Sequence, residues 1–217
     1  MKKTLLLAAL AAFICVAPAA RHASYAQETA KKPMASVAVV PEVTQAESYF
    51  ATLKTAKARF VQTAPDGTQS RGNFYLARPG RLRFEYDAPL KDFVVADGLM
   101  IYFYDGQLKQ QSNAPISQTL ADFLLRKNMS LHGDLKVKKI MRAGGLLQMT
   151  VIQTKEPGAG TLTLGFRESP KFELKKWRVV DAQGSITETE LFNTETGMVL
   201  PSSRFVYRDP ERKGLNQ

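Results

Sequence analysis

Few residues in this 217-residue chain are suited to chemistry. Glu188 and Glu190 lie two apart, so a strand aims both carboxylates from one face, as a general acid and base of a hydrolase would need. Exposed acids on an edge strand are the commoner reading of such a pair. His132 lies in the loop-like run Leu131-His132-Gly133-Asp134 and reads as a solvated imidazole. With two histidines and one cysteine in all, the chain has no Ser-His-Asp set except through His132 and no Cys- or His-rich metal constellation. Neither G-x-x-x-x-G-K-[ST] nor G-x-G-x-x-G occurs, so a nucleotide site has no support. The reading is therefore not an enzyme, with no cofactor and no metal.

The N-terminus removes most of what chemistry remains. Lys2 and Lys3 precede the apolar run Leu5 to Val16, and small residues follow at Ser24 and Ala26, the pattern of an export signal. The run is shorter than the roughly 20 residues a membrane span needs. Cleavage after Ala26, with Ala19 as the alternative, takes Lys2, Lys3 and Arg21 and no acid, so the formal charge falls from +10 to +7. It also takes Cys15 and His22. Bulky Ile14 before Cys15 argues against a lipid-anchor cysteine. The expectation is a soluble periplasmic protein with a signal at 1–26, a flexible lead at 27–40 and a single domain at 41–217. With no cysteine left, its stability must come from core burial.

The positioning elements follow from the period of the apolar residues. Thr44-Gln45-Ala46-Glu47 fits a capping box, and Val43, Ala46, Phe50, Leu53 and Ala56 follow at helical spacing, predicting a helix of about four turns. Beyond it the period falls to two. Phe74, Leu76 and Arg78 share a strand face, Pro79-Gly80 turns the chain, and Leu82, Phe84 and Tyr86 alternate with Arg81, Arg83 and Glu85. Leu99 to Tyr104 is apolar or aromatic on both faces and should be covered on both. Further strands are expected at 135–141, 146–154, 161–166, 174–180, 185–192 and 204–207. Only Pro115 to Leu125 breaks this pattern, with Ile116, Leu120, Phe123 and Leu124 at helical spacing. The predicted fold class is mainly β (α+β): a strongly curved antiparallel half-barrel of about eleven strands, with an N-terminal helix and short lid helices on its concave face.

A sheet face bearing Phe74, Leu76, Leu82, Phe84, Tyr86, Phe93 and Val95 must be buried. Two short helices are modest cover for it and leave room for an apolar ligand unless the sheet closes tightly. Arg78 is a charge at the end of that apolar face. It either snorkels to water or holds the cover helix through the exposed carbonyls at that helix's end. The +7 charge either serves solubility or attracts anionic headgroups or an acidic partner, with Arg71, Arg81 and Arg83 as candidates. Nucleic acid is not expected, because no stacking aromatics interleave the basic residues. A transmembrane barrel is disfavoured by the Lys and Arg on both faces of residues 173–180.

The run Gly72-Asn73-Phe74-Tyr75-Leu76-Ala77-Arg78-Pro79-Gly80-Arg81-Leu82-Arg83-Phe84-Glu85-Tyr86, then Pro89, resembles the signature of the periplasmic outer-membrane lipoprotein carrier proteins, the LolA family. Ala58-Arg59-Phe60-Val61-Gln62, Val95-Ala96-Asp97-Gly98, Tyr102-Phe103-Tyr104-Asp105, Gln110, Asp181-Ala182-Gln183-Gly184 and Phe205-Val206-Tyr207 extend the likeness over about residues 42 to 210. The resemblance implies a lidded half-barrel that carries the acyl chains of lipoproteins from an inner-membrane ATP-driven releasing complex toward an outer-membrane acceptor. Arg78 falls on the lid-latching arginine. Phe50, Phe74, Leu76, Leu82, Phe84, Tyr86, Phe93 and Val95 are the expected acyl-chain contacts, and Leu120, Phe123 and Leu124 the lid. A monomer is expected. The departures are the charge-rich hairpin at Arg81 and Arg83 and the short inserted lid. A free-lipid carrier or sensor, or an anchored acceptor relative, would share the fold.

Overall fold

The computed structural model describes residues 40–212. The expected export signal at 1–26 lies outside the described residues, as does the lead at 27–40 except for residue 40. A first helix, α1 (Pro41–Thr52), leads into β1 (Thr55–Thr63), β2 (Gln69–Ala77), β3 (Arg81–Tyr86), β4 (Phe93–Asp97), β5 (Met100–Asp105) and β6 (Gln110–Pro115). A 3-10 turn at Ile116–Gln118 and the one-turn helix α2 (Asp122–Leu125) follow. The chain then returns as β7 (Leu135–Ala143), β8 (Leu146–Gln153), β9 (Gly160–Arg167), β10 (Glu173–Asp181) and β11 (Ile186–Thr196).

All eleven strands form one antiparallel sheet in the order β6-β5-β4-β3-β2-β1-β11-β10-β9-β8-β7. Its two edges, β6 and β7, are neighbours in the chain but not in the sheet, so the barrel stays open. The segment that carries α2 is the chain that joins those edges.

Register decides what the concave face holds. One row runs Leu76, Leu82, Ala96, Ile101 and Ala114 across β2 to β6, and the next runs Phe74, Phe84, Val94 and Phe103. On the other wing Met149, Leu164 and Trp177 align, as do Val151, Leu162 and Val179. These residues form one buried cluster with Val43, Ala46 and Phe50 of α1. Gly72 is needed where β2 passes under Phe60: a Cβ there would lie 2.0 Å from the Glu85 carbonyl oxygen and 2.6 Å from the Phe60 ring.

Five local expectations are corrected. The capping box is not one, because Thr44 already lies inside α1. Val40 is the N-cap, no side chain caps it, and Pro41 supplies the first turn. The helix ends at Thr52, and Ala56 is on β1. The expected helix at 115–125 breaks in two because Thr119 is extended (φ −123°, ψ 158°) and its hydroxyl donates to the Ile116 carbonyl at 2.9 Å. Residues 204–207 are no strand; Ser202–Phe205 is a 3-10 turn. Phe93 and Val95 pair opposite Glu85 and Arg83, so they lie on the convex face rather than the concave one. Phe84 does face inward, and its partners on that side are Val94 and, beside Leu82, Ala96.

Candidate functional site

The concave wall is largely apolar, though buried Gln62 and Thr189 also lie on it, and two pieces of chain cover it. Alpha-helix α1 inserts Phe50, which is fully buried and meets Phe123 edge-on at 5.6 Å and Phe166 at 6.0 Å. The segment after β6 inserts Ala121, Phe123, Leu124 and Leu125, all buried, while Leu120 packs partly buried against the same cluster. Between this lid and Leu82, Phe84, Leu162, Trp177 and Val179 of the wall, only about 20 Å³ remains. That is space for about one water molecule. There, among the described residues, the helices' own side chains occupy the room expected beneath them. Hydrocarbon can reach the wall only if the cover moves.

One side chain ties the two covering pieces together. Arg78, just past β2, donates from Nη1 to the Phe50 carbonyl and, at 3.3 Å, to the Leu53 carbonyl, both at the end of α1. Its Nη2 donates to the Arg126 carbonyl at 2.6 Å, just past α2. These carbonyls belong to helix ends, where no intrahelical donor serves them, and a cation there also suits the helix dipole. The guanidinium lies 5.7 Å from the Phe50 ring centroid. Burial lowers the Arg78 pKa from its ordinary value. Its buried Nε has no hydrogen-bond partner among the described residues. The adjoining turn helps, since the Gly80 N–H donates to the Leu125 carbonyl at 2.8 Å.

A second tie was not legible. Glu47, read as a capping residue, instead turns outward from α1 and accepts the Leu131 N–H at 2.7 Å, with His132 Nδ1 3.2 Å away. His132 is thus not merely solvated but sits where the lid segment rejoins the sheet. At the other end of the wall, the Tyr86 hydroxyl donates to Gln62 Oε1 at 2.6 Å. Burial pushes the Tyr86 pKa well above the usual phenol range. Tyr49, on α1, is pushed up to about 12 by the same cause.

The structure brings Phe50, Phe74, Leu76, Leu82, Phe84 and Tyr86 to one cluster, with Leu120, Phe123 and Leu124 over it. It leaves out Phe93, which stacks on Tyr104 at 5.1 Å, and Val95. Sequence reasoning missed the far half of the wall, including Leu162, Leu164, Trp177 and Val179. Their inward alternation was visible in residues 161–166 and 174–180. Glu188 and Glu190 lie on β11 in the middle of the sheet, not on an edge. Lys176 Nζ holds both, at 2.8 and 3.6 Å, which occupies the carboxylates as ion pairs. Among the described residues no cluster of His, Cys, Asp and Glu could hold a metal ion, and no helix is long and apolar enough to cross a membrane.

Fold and site together define an open β half-barrel whose apolar wall lies under a small lid, pinned by an arginine to main-chain carbonyls. The model of the family described as outer membrane lipoprotein carrier protein LolA matches residues 51–208, and the chain belongs to that family. An outer-membrane lipoprotein carrier protein of Methylibium petroleiphilum is 32% identical over 172 residues, covering 76% of this chain and 83% of its relative. One of Methylococcus capsulatus is 26% identical over 81% of this chain and 88% of its own length. A LolA superfamily protein of Nitrosomonas europaea, solved as a crystal structure, is 10% identical with a TM-score of 0.41, over 76% of this chain and 97% of that one.

Proposed function

We propose that this chain carries lipoproteins across the periplasm, holding their acyl chains against the concave wall after its lid is displaced. The observation that carries the reading is the lid itself. A largely apolar wall is covered by two short elements that Arg78 ties together through main-chain carbonyls, with Glu47 and the Leu131 amide as a second tie. Phe50, Phe74, Leu76, Leu82, Phe84 and Tyr86 are the acyl-chain contacts. Arg78 is the latch, and Leu120, Phe123 and Leu124 are the part of the lid that acyl chains replace.

The energetics fit a shuttle. Moving hydrocarbon from water to an apolar wall is favourable by about 0.8 kcal/mol per CH₂. Several long chains would then exceed the non-covalent ceiling of roughly 18–21 kcal/mol. The cargo starts in a bilayer, however, and transfer from one apolar medium to another is near neutral. A carrier without a nucleotide motif therefore depends on a partner for extraction, an inner-membrane ATP-driven releasing complex. Near neutrality is also what allows release to an outer-membrane acceptor. A lid that closes on the empty wall keeps so large an apolar patch from water. Hydrogen bonds to a charged group contribute about 1.5–3 kcal/mol each, enough to hold the lid and little enough for cargo to displace it. Residues 1–26 act as the cleaved export signal, and the carrier works as a monomer.

Mass spectrometry of the protein purified gently from its own cells tests this. Triacylated polypeptide released from it supports lipoprotein carriage. Free phospholipid as the sole ligand would overturn that assignment in favour of a lipid carrier.

A further inference from the structure

The convex face carries a second feature that the acyl-chain reading does not use. The chain after β11 folds back over β3 and β4 and, with them, encloses a cleft of about 450 Å³. This is the size of pockets that hold a drug-sized ligand, roughly 300–1,000 Å³. Arg83, Arg204 and Arg208 line it, with Glu85, Phe93 and Ser203.

Two of these guanidinium groups are held in place. Arg83 lies over the Phe93 ring at 5.0 Å, and Arg204 over the Tyr75 ring at 4.1 Å. Glu85 accepts from Arg83 Nε at 2.6 Å and pairs with Arg204 Nη1 at 3.6 Å, and Arg83 Nη1 donates to the Arg204 carbonyl at 3.4 Å. One carboxylate thus serves two cations, and among the described residues Nη2 of each arginine has no partner. Arg208 is exposed and has no side-chain partner among the described residues. Nearby Asp209 accepts the Glu211 amide, and Glu211 engages Tyr104 and Lys109; neither lines the cleft. Three cations against one anion leave a surplus of positive charge in a pre-oriented pocket.

The geometry points to a docking cleft for an extended acidic segment of a partner protein, whose Asp or Glu carboxylates the free edges of Arg83, Arg204 and Arg208 receive. Arginine forks suit carboxylates, and stacking on Phe93 and Tyr75 lowers the entropy lost on binding. Arg83 and Arg204 are recessed, their side chains 20% and 31% exposed, while Arg208 stands exposed at the rim. A protruding peptide can engage all three together, whereas a flat bilayer of anionic headgroups meets Arg208 first. Pro201, Val206 and Pro210 give that peptide apolar walls. The cleft opens on the face opposite the lid, so a partner held there leaves the acyl-chain wall free.

Fluorescence polarisation with a labelled (Glu-Pro)₃ peptide, against (Gln-Pro)₃, tests the proposal on the full mature chain. The acidic peptide should bind about tenfold more tightly than its amide counterpart and weaken as salt rises. Arg208→Glu, on an exposed side chain, should weaken it about tenfold, and Ser203→Trp should abolish it by filling the cleft, while thermal melting confirms that both variants fold. Equal affinity for the two peptides, or binding unaffected by both substitutions, would overturn the proposal. So would capture of anionic phosphatidylglycerol vesicles, but not the peptide, through Arg208.

Discussion

The concave face of β3 to β5 and the convex face of β4 and β5 are both largely apolar and both covered, yet by different means. On the concave side, Leu82, Phe84, Val94 and Ile101 lie under α1 and α2, tied through Arg78 and Glu47 to main-chain atoms. On the convex side, the C-terminal segment is fixed by side-chain packing. Phe205 is buried, Tyr207 stacks on Tyr102 at 4.7 Å, and Arg204 lies on Tyr75. A helix of one turn has no stability of its own and depends on what it rests on. Both covers are buried, Phe123, Leu124 and Leu125 within the central cluster and Phe205 outside it, and under the proposed function it is the concave cover, tied by a few directional bonds, that moves. The difference between a lid and a wall here lies in the bonds that hold each, not in the polarity each conceals.

That contrast can be broken from either side. The largest effect is expected from Phe205→Ala, which removes a buried aromatic from the convex cover. It should cost about 3–5 kcal/mol of global stability, read by denaturant melting, with acyl-chain binding retained while the chain stays folded. A small loss would mean that the convex cover is also loosely held. Next, Arg78→Leu leaves the carbonyls of Phe50, Leu53 and Arg126 without their donor. Hydrogen exchange of residues 116–131 should rise about ten- to a hundredfold, with only minor change in β2 to β5. Cargo should load readily and release poorly. Unchanged exchange would remove Arg78 from the account.

Smaller effects sharpen the picture. Glu47→Ala should speed exchange in 128–134 about fivefold without loosening α2, since it frees the Leu131 amide alone. Replacement of the convex Phe93 by Leu should leave acyl-chain affinity unchanged within about twofold, whereas Phe84→Ala should lower it markedly. Equal losses would place Phe93 back in the site. Asp92, which opens onto β4, accepts the Gly106 N–H at 2.8 Å, but burial still raises its pKa. A carboxyl with a raised pKa binds its proton more readily folded than unfolded, so its charge detracts from stability above the unfolded pKa. Asp92→Asn should then raise Tm by about 2–4 °C at pH 7, and the gain should vanish near pH 3.

Much of this was legible because the period of two is strict wherever one face is buried. The hairpin at 72–86 gives Phe74, Leu76, Leu82 and Phe84 inward and Arg81 and Arg83 outward, and the structure places them so. Arg78 stood out as a charge on an apolar face. Residues 93–95 were harder, because Phe93, Val94 and Val95 are consecutive apolar residues of a strand covered on both sides, and composition alone cannot say which parity faces in. The same two-sided burial hid the convex role of residues 204–207. Strand β6 was invisible because Gln110 to Asn113 sit at an exposed edge with nothing to bury. Glu47 obeyed a local rule, the capping box, that lost to a tertiary contact 84 residues away.

Trp177, the chain's one tryptophan, lines the small void beneath the lid and reports directly on entry. A triacylated lipopeptide with brominated acyl chains should quench its fluorescence on binding, and Arg78→Leu should shift that quenching to lower lipopeptide concentration. Saturable binding of the same lipopeptide with Trp177 emission unchanged would show that the chains lie elsewhere and that the lid covers a core rather than a site.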